Sequence, residues 1–133
     1  MTTSPHISGV PYDAELPTVN RAHLDGILGT ESAQQSQQLV QHIYELFLSE
    51  SREKLDGLNA ACQADDLATL RAIVHFLAGG SGSLGMVRLS TYLQSIERAI
   101  AAEQLTDLSN CSASILLEFE RSCAEFKRIY TLS

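Results

Sequence analysis

From residue 32 onward the apolar positions recur three and four residues apart, the spacing of one face of an α-helix. Leu39, Ile43, Leu46, Phe47, Leu55 and Leu58 form a first stripe and predict a long helix from about Ser32 to Cys62. Leu67, Leu70, Ile73, Val74 and Leu77 form a second, with Asp65 or Asp66 positioned as its N-cap. A third starts near Met86 and carries Val87, Leu89, Leu93, Ile96 and Ile100. After the polar break "EQLTDLSNCS", a fourth presents Ile115, Leu116, Phe119, Cys123, Phe126 and Tyr130. Ahead of them, Leu24, Ile27 and Leu28 share one face of a short helix that runs from about Asn20 and stops at Gly29. No stretch of any length alternates with the two-residue period of a strand. The pattern predicts an all-α fold, an antiparallel up-down four-helix bundle with a short extra N-terminal helix.

Pro5, Pro11 and Pro17 are the only prolines, so nothing after residue 17 interrupts helix formation by ring constraint. They divide the chain into a lead-in over residues 1–18, flexible or hugging the surface, and a single helical domain over residues 19–133. At 133 residues the chain is long enough to bury a core without disulfides or a structural metal. Cys62, Cys111 and Cys123 are odd in number and widely spaced, which fits a reducing compartment better than a disulfide framework. Nine Lys and Arg against sixteen Asp and Glu give a net charge of −7, which disfavours nucleic acid and anionic membranes as partners. The first residues lack a charged start, an apolar core and a cleavage site, and no stretch reaches membrane-spanning length. The expectation is a cytoplasmic monomer with no nucleic-acid or membrane partner.

One segment departs from ordinary helix composition. "HFLAGGSGSLG", His75 to Gly85, places Gly79, Gly80 and Gly82 in the last turns of the second helix, each less favourable there than alanine by roughly 1 kcal/mol. At about 100° per residue, His75 lies roughly 150° from the centre of the apolar arc of that helix. It faces away from the core, among Ala68, Arg71, Ala72, Ala78, Gly79 and Gly82, of which all but Arg71 are small. A histidine on so low a platform is open to close approach by another protein's backbone. An ordinary surface histidine beside a frayed helix end has the same pattern, and periodicity alone does not separate the two.

The segment resembles the core motif of histidine-containing phosphotransfer domains of multistep two-component signalling, approximately H-x-L-K-G-S-S-x-x-L-G. His75, Leu77, Gly79, Ser81, Leu84 and Gly85 stand in register with it. "FLSESREKLDGLNAACQADDLATLRAIVH" upstream and "RLSTYLQSIERAI" downstream are similar to the flanking helices, so the resemblance spans roughly residues 20–102. It implies that His75 accepts a phosphoryl group from the aspartyl phosphate of a response-regulator receiver domain and passes it to another receiver aspartate. The chain is then a phosphohistidine carrier more than a conventional enzyme, with a hybrid sensor histidine kinase and a receiver domain as partners. Imidazole, largely neutral at cytoplasmic pH, is a competent nucleophile without a dedicated base. No cofactor is implied for this chain, because the family's Mg²⁺ belongs to the receiver.

The motif's lysine is replaced here by Ala78, and its first serine by Gly80. Arg71, one turn before His75, is a candidate substitute cation. Glu97 is a candidate to orient the second ring nitrogen of His75, Ser81 to hydrogen-bond locally, and Gly79 to open the partner's approach. Ala68, Ala72, Ala78, Gly79 and Gly82 form the expected docking platform, flanked by exposed apolar residues of the short helix and of the helix that carries His75. Leu84 and Gly85 are expected to close the turn to the next helix. Loss of the lysine leaves open a second reading, an adaptor that docks a receiver or kinase with weak or no phosphotransfer. His6 and His23 carry no signal, and His42 is expected as a partly buried structural residue. Neither a metal-ligand spacing nor a nucleotide fingerprint is present.

Overall fold

The computed structural model describes residues 4–29 and 32–133. Six α-helices make up the described chain: α1 (Ala22–Leu28), α2 (Ala33–Leu55), α3 (Leu58–Gln63), α4 (Leu67–Ser83), α5 (Val87–Ala101) and α6 (Cys111–Tyr130), with a 3₁₀ turn at Leu108–Asn110 before the last. Side-chain caps start α2 and α4 where the sequence marks them. The Ser32 hydroxyl accepts from Gln35 N–H while the Gln35 side chain accepts from Ser32 N–H, a complete capping box on α2. Asp66, not Asp65, caps α4 by accepting from Thr69 N–H, and Asp65 takes the left-handed turn conformation at φ 53°. Gly85 ends α4 at φ +77°, with Met86 N–H bonded back to Ser81 and the Met86 side chain buried. A Cβ on Gly85 would lie 2.2 Å from the carbonyl oxygen of Asn20, so only glycine fits where the approach to α1 crosses this turn. Leu84 is buried in the same turn.

The core lies between α2, α4, α5 and α6. Leu70, Val74 and Leu77 of α4 meet Leu89, Leu93 and Ile96 of α5, Ile115 and Phe126 of α6, and Tyr44 of α2, all of them buried and part of one cluster. Tyr44 stacks on Phe126 at 5.4 Å and Phe47 meets Phe119 at 5.8 Å between ring centres, which ties α2 to α6.

Three sequence expectations are corrected here. The helix predicted from Ser32 to Cys62 breaks at Asp56 and Gly57, where Gly57 N–H bonds to Lys54 in an i to i−3 step and α3 restarts. The apolar spacing runs through the break unchanged, so periodicity could not reveal it. The buried stripe of α2 is Val40, Tyr44, Phe47 and Ser51, while Leu39 and Leu46 are exposed. His42 therefore also faces solvent. The stripe read from Leu39, Ile43 and Leu46 thus lies one position away from the buried one through Val40, Tyr44 and Phe47. Third, of the flexible and surface-hugging forms expected for the lead-in, the flexible one is set aside for residues 4–18, which are fastened to the bundle; residues 1–3 lie outside the described residues. Ile7 and Val10 are buried, His6 exchanges two hydrogen bonds with Ser114, and Tyr12 donates to Glu118. Apolar side chains at positions 7 and 10 outweigh the prolines around them.

Cys62, Cys111 and Cys123 are buried free thiols. Burial pushes Cys111 up to about 12 and Cys123 up to about 11, and it raises Cys62 as well. Thiolate is the reacting form, so alkylation by iodoacetamide at pH 8 should wait for unfolding. Mass spectrometry of the native protein is expected to find almost no adduct, and three adducts per chain in denaturant. Cys123 modification at the rate of a free thiol would contradict the burial assigned to it.

Candidate functional site

The α4–α5 pair builds the site. His75 stands on the outer face of α4 with 76% of its side chain exposed. Its Nδ1 lies 3.0 and 3.2 Å from the two carboxylate oxygens of Glu97 on α5. With a carboxylate as acceptor, Nδ1 carries the proton and donates, which leaves the Nε2 lone pair directed away from Glu97. Glu97 is itself only 22% exposed, and Arg71 Nε approaches its Oε1 at 3.9 Å from one helical turn below His75. Arg71 thus lies against Glu97, on the Nδ1 side of the ring.

The remaining candidates divide. Ala68, Ala72, Gly79 and Gly82 are exposed on the same side of α4 as His75, and a Cβ at Gly79 would meet nothing within 4 Å. Ala78 does not belong to this platform: it is 7% exposed. It sits at helical spacing from Val74 and Ser81 on a covered flank of α4, because the bundle covers a wider arc than the large apolar residues mark. Ser81 is also removed from the site. It is fully buried, and its hydroxyl donates 2.7 Å to the Leu77 carbonyl within α4. Nor do the glycines act alike. Gly80 faces inward, where a Cβ would come within 3.1 Å of the Phe47 ring, so its small size serves the packing of α2 on α4.

Phe76, which the sequence reading did not name, is the exposed apolar residue next to His75 on α4, at 37% exposure. The ammonium of Lys54, in the last turn of α2, lies 5.1 Å from its ring centre. A helical lysine two elements away gives no sequence signal of that proximity.

Comparison with family models matches residues 42–127 to the Hpt domain, a span that runs from the middle of α2 through most of α6 and holds His75, Arg71 and Glu97. The chain belongs to the Hpt domain family. Among solved structures, the Hpt fold seen here is similar to the crystal structure of histidine-containing phosphotransfer protein B from Pseudomonas aeruginosa PAO1, with a TM-score of 0.70. The two are 24% identical, and the alignment covers 86% of this chain and 96% of that one. Comparison with curated proteins gives no match. Histidine phosphotransfer in phosphorelays is the activity that the Hpt family carries, and α1 with the residues before it lies outside the matched span.

Proposed function

We propose that this Hpt domain is a phosphohistidine carrier that moves a phosphoryl group between two receiver aspartates through Nε2 of His75. The observation that carries the reading is the exposed imidazole held at Nδ1 by Glu97. In the forward step the Nε2 lone pair attacks phosphorus, the phosphorus–oxygen bond to the donor aspartate breaks, and that carboxylate leaves with the electron pair. Nδ1 keeps its proton, and Glu97 offsets the positive charge that the ring gains. The second step is the reverse, with another receiver aspartate as nucleophile. The transition state is loose, so alignment and charge neutralisation matter more than covalent assistance. Mg²⁺ in this reading belongs to the receiver. The position of Arg71 supports a role through Glu97, which it helps to hold, in place of direct contact with the phosphoryl group.

The helix pairings support the up-down antiparallel order of α2, α4, α5 and α6, with His75 on its outer surface. The carrier is proposed to act as a cytoplasmic monomer between a hybrid sensor kinase and a response regulator. Replacement of the family lysine by Ala78 favours one other reading, an adaptor that binds a receiver without accepting phosphate. Incubation with receiver domains charged by acetyl phosphate and Mg²⁺ separates them. Acid-labile, base-stable label on the protein is expected; binding to a receiver without label would support the adaptor.

Docking over the small residues around His75 leads to a second test. Gly79→Leu fills open space, and helix propensity alone should raise stability by up to about 1 kcal/mol. Receiver affinity should nevertheless fall at least about tenfold, because the new side chain stands where the partner backbone approaches. Titration calorimetry against the labelling receiver checks this, and unchanged affinity would move the docking face elsewhere.

A further inference from the structure

Beside the His75–Glu97 pair, α4 and α5 enclose an open cleft of about 300 Å³ lined by Arg71, Gln94, Glu97, Arg98 and Ala101. Arg98 and Gln94 are exposed, on α5, and neither belonged to the residues read from the sequence. The cleft holds two guanidinium groups and a single carboxylate, and that carboxylate is already engaged by His75 Nδ1. Arg98, like Arg52 and Arg121, has no ion-pair partner among the described residues, and of these three it alone lines the cleft beside His75. In a chain of net charge −7, a local positive excess next to the reactive histidine selects for an acidic group on whatever docks there.

We propose that the Arg71–Arg98 cleft binds a carboxylate side chain of the docking receiver domain and so sets its orientation over His75. The proposal rests on the phosphotransfer reading above. With two arginines against one carboxylate in its lining, the cleft favours an acidic side chain on the partner face beside the reacting aspartate. Arg98 offers a planar pair of donors matched to a carboxylate, and Gln94 adds an amide donor on the same wall. The cleft lies on the Glu97 side of the imidazole, so it serves the partner's acidic rim. The phosphoryl group itself forms on the opposite nitrogen.

The test uses the full-length protein and the acetyl-phosphate-charged receiver that labels it best, with transfer rates measured against receiver concentration by rapid quench. For Arg98→Glu the receiver concentration giving half-maximal rate should rise at least about tenfold, while Arg98→Lys should recover part of the loss. Transfer by the wild type should weaken with added salt, and that dependence should be shallower in Arg98→Ala. Lys127→Glu, on α6, makes the same change in net charge and should shift the half-maximal concentration less than twofold. A similar shift in both charge reversals would make the effect one of net charge and overturn the cleft. So would Arg98→Glu behaving like wild type, or Arg98→Ala shortening the phosphohistidine lifetime in the absence of receiver, which would place the phosphoryl group in the cleft. If no receiver labels the wild type, the phosphotransfer reading fails and takes this one with it. Label on the wild type with no Arg98 effect removes the cleft alone.

Discussion

His75→Gln is expected to lose all acid-labile label while keeping the fold and much of its affinity for the receiver. Glutamine is near imidazole in size and still offers an amide to Glu97, but it has no basic nitrogen lone pair to attack phosphorus. The loss should exceed about 1,000-fold in transfer rate, equivalent to more than about 4 kcal/mol of transition-state stabilisation. Because His75 is largely exposed and packs against nothing in the core, thermal stability should move by less than about 0.5 kcal/mol. The relevant readouts are quench-flow labelling and a thermal melt on the same sample. Residual label above a few per cent of wild type would place the acceptor on another residue. The exposed His6, His23 and His42 are then the first to examine.

The site and the fold were unequally legible in the sequence. His75 could be found because helical spacing puts it opposite Leu70, Ile73 and Leu77, and because the glycines and the resemblance converge on the same eleven residues. Glu97 followed from its place in the next helix, and α5 does bring it to Nδ1. Ser81 makes the local hydrogen bond expected of it, but Ala78 was misplaced because a small residue carries no hydrophobic signal of its own: position in the covered arc buries it, and composition is silent. In α2 two apolar series one position apart, Leu39 with Ile43 and Leu46, and Val40 with Tyr44 and Phe47, compete in the sequence, and packing against α6 buries the second. The α2–α3 break was invisible because apolar spacing passes through Gly57 in phase. Arg98 was missed because a cleft between two helices is a property of their packing, which no single-helix pattern contains.

Glu118 shows what a polar residue in a core stripe signifies. It lies at helical spacing with Cys111, Ile115, Phe119 and Ser122 on the buried face of α6 and is fully buried. Arg88 of α5 donates to its carboxylate through Nε, and the Tyr12 hydroxyl donates to the other oxygen at 3.1 Å. Tyr12 in turn meets Tyr92 edge-on at 5.1 Å between ring centres. One carboxylate thus joins the N-terminal segment, α5 and α6. Glu118→Ala would leave the mostly buried Arg88 unpaired and Tyr12 without its acceptor, a change that breaks a buried pair from one side and costs about 3–5 kcal/mol. Against a typical total of about 5–15 kcal/mol, that is enough to leave part of the population unfolded at 37 °C. Tyr12→Phe removes only the hydrogen bond and should cost about 1–3 kcal/mol, with the segment around Ile7 and Val10 loosened first. The double replacement Arg88→Met with Glu118→Met removes both charges and should recover most of the loss, since apolar substitutes for a buried ion pair are often neutral or better. Urea denaturation of the three variants, with hydrogen exchange on residues 4–18, separates these effects. If Glu118→Ala falls by less than about 1 kcal/mol, the pair does not hold the N-terminal segment to the bundle.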